Sequence, residues 1–243
     1  ADADRIYRVN IDNRTAGETN HFAAVSSPLA NVMQSDFPQA EMITRLKMSN
    51  SILLKEVNAE QNVKEDYVAG ADSTFFEMFG LKLLYGNTKN ALEKPNSIVL
   101  TKTAALKHFD LDEALGQSMV LNNDEVYVVT GVMDDLPKNS FLRDHQVFIS
   151  LSSFDDAKSL AWNIWSFPTF VKLRPTANKE SLQAYLSTVK DRYLIPWAMT
   201  FMPGLTVESA KEMEKSSGDF MRFTPIALTD IHLHSPNIED ELS

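Results

Sequence analysis

The sequence predicts an α+β protein in which two βα-type chain segments bracket a middle unit. Three stretches carry that reading. Ile6 to Ile11 alternates, with Tyr7, Val9 and Ile11 on one face, the period of a half-buried strand. Pro95 to Asp135 reads as strand, short helix, turn and hairpin. Behind Asn178, a good N-cap, Leu182, Tyr185, Leu186, Val189, Tyr193 and Leu194 follow the period of an amphipathic helix. The order β-α-β-β-β, middle unit, β-α-(α)-β supports an α+β fold with an inserted module.

Between these anchors the chain reads as follows. Asn13 to His21 is polar, with Gly17, and is a loop or hairpin. Ser26 or Ser27 caps a helix with Pro28 in its first turn and Leu29, Val32, Met33 and Phe37 on one face; Pro38 stops it. Met42, Thr44, Leu46 and Met48 alternate with Arg45 and Lys47, a half-exposed strand. Ile52 to Val57 and Gln61 to Val68 form a hairpin, and Gly70 to Asp72 leads into a short helix with Phe75, Phe76 and Phe79. Ser97 to Leu100 is a short strand, and Thr101 caps a helix carrying Ala104, Ala105, Leu106 and Phe109. Gly116 breaks the chain, Asn122-Asn123-Asp124 is a turn, and Val126 to Val132 is strongly β-prone. His145 to Leu151 and Thr169 to Leu173 are strands. Pro196 ends the long helix, Met199 to Pro203 is irregular, Val207 to Lys215 is a modest helix, and Phe220 to Leu233 is strand-like.

Composition narrows the function. A chain of 243 residues with 44% hydrophobic and 23% charged residues can bury a real core. A net charge of -10 argues against a nucleic-acid surface and against broad docking on anionic lipid. The absence of cysteine rules out thiolate catalysis and thiolate metal sites. No apolar run is long enough to span a bilayer, and no basic segment precedes an apolar one as in a signal peptide. The start at Ala1-Asp2-Ala3-Asp4, just ahead of a strand, reads as that of an excised fragment.

Candidate chemistry is sparse. His232 and His234 share one face of a strand, a beginning for a metal site or two surface imidazoles. Asp134, Asp135 and Asp144 surround Pro137 without calcium-loop spacing, and a turn and capping role suits Asp135. Asp110, Asp112 and Glu113 read as a solvated turn. Trp162, Trp165 and Phe167 form either a stacking platform for a ligand or core packing. Trp197, Met199, Phe201 and Met202 form an apolar patch in an irregular segment, either an adaptable partner surface or core. Phosphate-cradling loops, dinucleotide loops, nucleophile elbows and zinc-protease signatures are missing from the sequence.

The motifs resemble those of a family. Ser97–Leu100, the helix ending at Phe109, Leu115-Gly116-Gln117, Tyr127 to Val132 with Gly131, and Asp135-Leu136-Pro137 are similar to the conserved run of the periplasmic core domain of MacB-like, FtsX-like ABC transporter permeases. Asp72 to Gly80 with Phe75, Phe76 and Phe79, Leu84-Tyr85-Gly86-Asn87, and Thr229-Asp230-Ile231-His232-Leu233 look like further elements of that pattern, in the same order. Asn139-Ser140 fits a branch that often lacks an obvious adaptor. The resemblance implies a porter-like subdomain from residues 1–93 and 152–243, and an inserted sabre-like subdomain from 94–151 whose outer part, Thr101 to Asp135, would dock a partner. It implies no catalytic, cofactor or metal residues, and a structural role for the motif residues. It implies a domain on the periplasmic face of the inner membrane of a Gram-negative bacterium, tied to the membrane by flanking helices. Its partners would be a cognate ATPase subunit, a second permease copy and a periplasmic or outer-membrane protein, and its work would be mechanotransmission. Two alternatives stand beside this: a periplasmic solute-binding or sensor domain with an aromatic pocket near Trp162 and Trp165, and a hydrolase with an unrecognised site.

Overall fold

The computed structural model describes residues 2–49, 51–138, 140–231 and, in backbone only, 238–239. They fall into two compact units, Thr44–Lys158 and Asp2–Ile43 with the chain from Ser159 on. After a 3-10 turn at Ala3–Arg5, β1 (Ile6–Thr15) and β2 (Glu18–Phe22) form an antiparallel hairpin. Its turn residues Ala16 and Gly17 have φ of 53 and 86 degrees, the positive pair whose twist matches that of the strands. α1 (Pro28–Asp36) starts on its proline and buries Leu29 and Met33. β3 (Ala40–Ser49) runs from the first unit into the second, with the division between Ile43 and Thr44.

Thr44–Lys158 is built on one sheet. β4 (Ile52–Glu56) and β5 (Val63–Glu65) are the expected hairpin, and β6 (Val68–Ala71) is a strand of its own. α2 (Phe75–Phe79), β7 (Leu83–Gly86), β8 (Ser97–Thr101), α3 (Lys102–Ala105), β9 (Ser118–Leu121), β10 (Glu125–Met133) and β11 (Val147–Ser150) follow. The order is β3-β6-β11-β8-β10-β9-β4-β5, with β7 also on β10. β6 with β11 and β8 with β10 pair in parallel. Strands from both sides of residue 94 therefore share the sheet: β11, β8, β10 and β9 lie between β6 and β4, and β4 pairs with β9. The compact unit accordingly begins at Thr44 and ends at Lys158, where the motif boundaries place residues 94 and 151. Backbone pairing over long sequence separation leaves no composition shift at Thr44 to read. Leu54, Ile98, Leu100, Met119, Val129 and Val147 lie in the core of this unit.

The remaining chain returns to the first unit. β12 (Thr169–Leu173) precedes α4 (Lys179–Val189), whose N-cap Asn178 accepts the Ser181 N–H at 3.0 Å. Pro196 does not end this helix. A π-helical turn, Lys190–Leu194, carries the chain into α5 (Ile195–Met199), and Pro196 occupies the first turn of α5, where its missing N–H leaves no bond unmade. α6 (Val207–Ser217) and β13 (Phe220–Ala227) follow; a 3-10 turn at Leu228–Asp230 closes β13 short of Leu233, and β14 (Ile238–Glu239) pairs with β2. β1 is the central strand. β13 runs along one edge from Tyr7 to Arg14, while β12 and then β2 share the other. Val9, Ile11, Leu29, Met33, Leu182, Leu186 and Phe223 form the core against α1 and α4.

Candidate interaction surface

The two tryptophans read as pocket or packing residues belong to packing. Trp162 is 5% exposed, stacks on Tyr193 with centroids 6.1 Å apart, and meets Phe223 edge-on. Trp165 is partly buried against Phe22, centroids 5.1 Å apart, and its indole N–H donates to the Trp162 carbonyl at 3.2 Å. Phe167 is buried, and its backbone bridges Val25 through two hydrogen bonds. A stacking platform needs an open ring face, which Trp162 lacks.

The Trp197 segment behaves differently. Asp36, at the end of α1, accepts the Tyr185 hydroxyl at 2.8 Å and the Tyr193 hydroxyl, and pairs with Arg192 at 3.0 Å. Burial, then Asp36, pushes the Tyr185 phenol far up, while Asp36 is the main cause of the rise at Tyr193. The π turn is thereby pinned to α1. Beyond it Trp197 is partly buried and meets Phe201 edge-on, with centroids 4.7 Å apart. Met199, Phe201 and Met202 are 44%, 56% and 47% exposed. The result is an apolar patch on a rigid base, the property expected of a contact surface.

The motif residues are structural where described. Phe75 and Phe76 are fully buried; Phe148 stacks on Phe75 at 5.1 Å, and Phe79 meets Phe75 edge-on. Phe109 packs on the core. Gly86 and Gly131 face one another across β7 and β10. Gly116, at φ 86 degrees, donates its N–H to Val129 at 2.7 Å. Pro137 is exposed and its carbonyl accepts the Ser140 amide. Asp230 is half-buried in the turn after β13. His232, His234, Asn139 and the chain end at 237 lie outside the described residues, apart from the backbone of 238–239.

The titratable groups are held by structural contacts. Asp135 accepts the Thr103 amide and hydroxyl at 3.1 and 2.6 Å at the start of α3. Burial pulls its carboxyl up, but these hydrogen bonds outweigh it and hold the group below its usual value. Asp144 pairs with Arg143 at 3.5 Å, and the Asp110 carbonyl accepts the Glu113 amide in a turn. Sequence reasoning missed two features. Glu65, 2% exposed, receives Lys107 on both carboxylate oxygens at 2.8 and 2.7 Å. On the polar face of β1, Asp12 contacts His21 at 2.7 Å and accepts the Thr224 hydroxyl at 2.6 Å. There the carboxylate stands between imidazole and hydroxyl, so the histidine is not placed as a base for that hydroxyl. Among the described residues no group of three metal-ligating side chains converges.

This two-unit α+β fold is that of a periplasmic domain of a membrane transporter. The chain belongs to the MacB-like periplasmic core domain family, which matches residues 1–189, and so is a MacB-like periplasmic domain of an ABC transporter permease. The solved structures agree on the fold. A domain described as part of a permease protein from Porphyromonas gingivalis has 22% identity and a TM-score of 0.71, covering 93% of this chain and 90% of its own. The periplasmic region of MacB from Actinobacillus actinomycetemcomitans has 17% identity and a TM-score of 0.52, covering 88% of this chain and 94% of its own. Among curated proteins no match was found. The π turn, α5, α6 and β13 lie beyond the matched residues.

Proposed function

We propose that this domain performs no covalent chemistry and transmits ATP-driven movement of a permease to a substrate or periplasmic partner. The observation that carries the reading is the exposed Met199, Phe201 and Met202 patch on the Asp36-pinned turn, a surface suited to touching a partner. In this reading ATP is hydrolysed on a cognate subunit, two permease copies move relative to one another, and helices flanking this chain lie in the inner membrane of a Gram-negative cell. The two-segment unit serves as the porter-like part and Thr44–Lys158 as the sabre-like part. Efflux is one use of such motion.

The test uses the full-length permease with its ATPase in a bilayer, spin-labelled at Lys179→Cys, on α4, in both copies. The distance distribution should shift on ATP binding and stay shifted with a hydrolysis-deficient ATPase. Distances that never change through the cycle sink the reading.

A further inference from the structure

α6 is anomalous as a piece of packing. It is eleven residues long and none is buried. The same holds for every residue from Met199 to Arg222. An amphipathic helix of a globular unit ordinarily owes its stability to a buried face. α6 instead carries its own ends. Thr206 accepts the Ser209 amide at 3.0 Å, the Thr206 amide donates to the Ser209 hydroxyl at 2.8 Å, and Gly218, at φ 74 degrees, donates to the Glu214 carbonyl at 2.9 Å. Its ends are therefore satisfied by its own residues, without partners from the rest of the unit.

Beneath and beside it the unit is not filled. One groove of about 260 Å³ runs between α4, α6 and β13, with Leu186, Met221 and Phe223 on its wall. A second, of about 290 Å³, lies against the ends of β1 and β13, with Leu205, Met213 and Phe220 on its wall. What ties α6 down is charge: Glu214 pairs with Lys190, and Lys211 pairs with Asp191 at 2.6 Å, both across to the π turn. These side chains are between 18% and 58% exposed, so their attraction is screened by salt.

We infer that α6 is a displaceable strap, capped at both ends by its own residues and latched by the Lys190–Glu214 and Lys211–Asp191 pairs over the groove that Leu186, Met221 and Phe223 share with polar side chains. Lifting it breaks few apolar contacts, and it uncovers side chains of the unit's own core. The device does not depend on the Met199–Met202 patch being a partner surface.

Hydrogen exchange on the 243-residue chain tests it. Amides of α6 should exchange at least about tenfold faster than those of α4, and raising salt from ~0.05 to ~0.5 M should speed α6 and leave α4 unchanged. Lys190→Glu should speed α6 exchange about fivefold, and adding Glu214→Lys should restore it. Equal protection of the two helices overturns the strap. So does a charge swap that fails to restore protection, or an α6 indifferent to salt. If Lys190→Glu prevents folding, the salt series on the unaltered chain still decides.

Discussion

Gly86 and Gly131 show how much one hydrogen atom decides. They face each other across β7 and β10. A Cβ on Gly86 would lie 2.5 Å from the Thr130 carbonyl oxygen, and the residue has φ of 96 degrees. Backbone cannot yield as a side chain can, so Gly86→Ala should destabilise by roughly 2–4 kcal/mol, read from its urea midpoint. Two buried titratable groups set opposite pH limits. Burial, aided by Glu125, pushes the Tyr127 phenol from 10 up to about 12. The protonated form is thus favoured in the fold; its contribution, on the order of 2 kcal/mol, is intact below pH 10 and lost as pH rises toward 12. Tyr127→Phe should flatten the alkaline loss in that window. His145 is the reverse case. Burial pulls it below 6.5, against the Leu142 backbone and Asp144, so the unfolded chain takes up its proton first and stability falls as pH drops below 6.5. His145→Gln should reduce that slope in denaturant titrations below about pH 6.5.

At the scale of elements, β5 and the turn after α3 are joined by a charge pair that no local pattern announces. Removing the Lys107 ammonium strands a carboxylate that is 2% exposed. Lys107→Met should cost roughly 2–4 kcal/mol, and Glu65→Gln on the same chain should recover part of it. The measurement is a double-mutant cycle in urea; a fully additive pair would show that the bond contributes nothing. α2 is held by shape alone. Phe75 is fully buried among Phe76, Phe79 and Phe148, so Phe75→Ala should cost roughly 3–5 kcal/mol through the cavity it leaves. Caps at both scales were legible beforehand, because Thr101 and Asn178 bond within three residues of themselves. The continuation through Pro196 was not, because a π turn pinned by Asp36 over a long sequence separation replaced the expected stop.

For the whole molecule the contrast is between core and surface aromatics. Trp162 and Phe201 each belong to an aromatic or apolar cluster that the sequence leaves open between core and surface; one is buried and the other is 56% exposed. Phe201→Ser with Met202→Ser should therefore change stability by less than about 0.5 kcal/mol per site, while weakening any function that depends on partner contact. Thermal unfolding checks the first part, and transport by the full-length permease the second; a large loss of stability would place the pair in the core. The middle unit teaches the same lesson for backbone. Its hairpins and short helices were readable one by one, but β6 and β11, far apart in sequence, pair in parallel and carry its boundary back to Thr44.

The sequence by itself determined the α+β class, most strands and helices, the caps, and the family motifs, because alternation, helical spacing and capping are fixed by neighbours along the chain. Only the tertiary structure decided which strands share a sheet, why Gly86 must lack a side chain, which of the two aromatic clusters stays exposed, and that α6 rests on the fold without being buried in it. Those outcomes depend on contacts between residues distant in the chain, which leave no pattern in any single stretch of it.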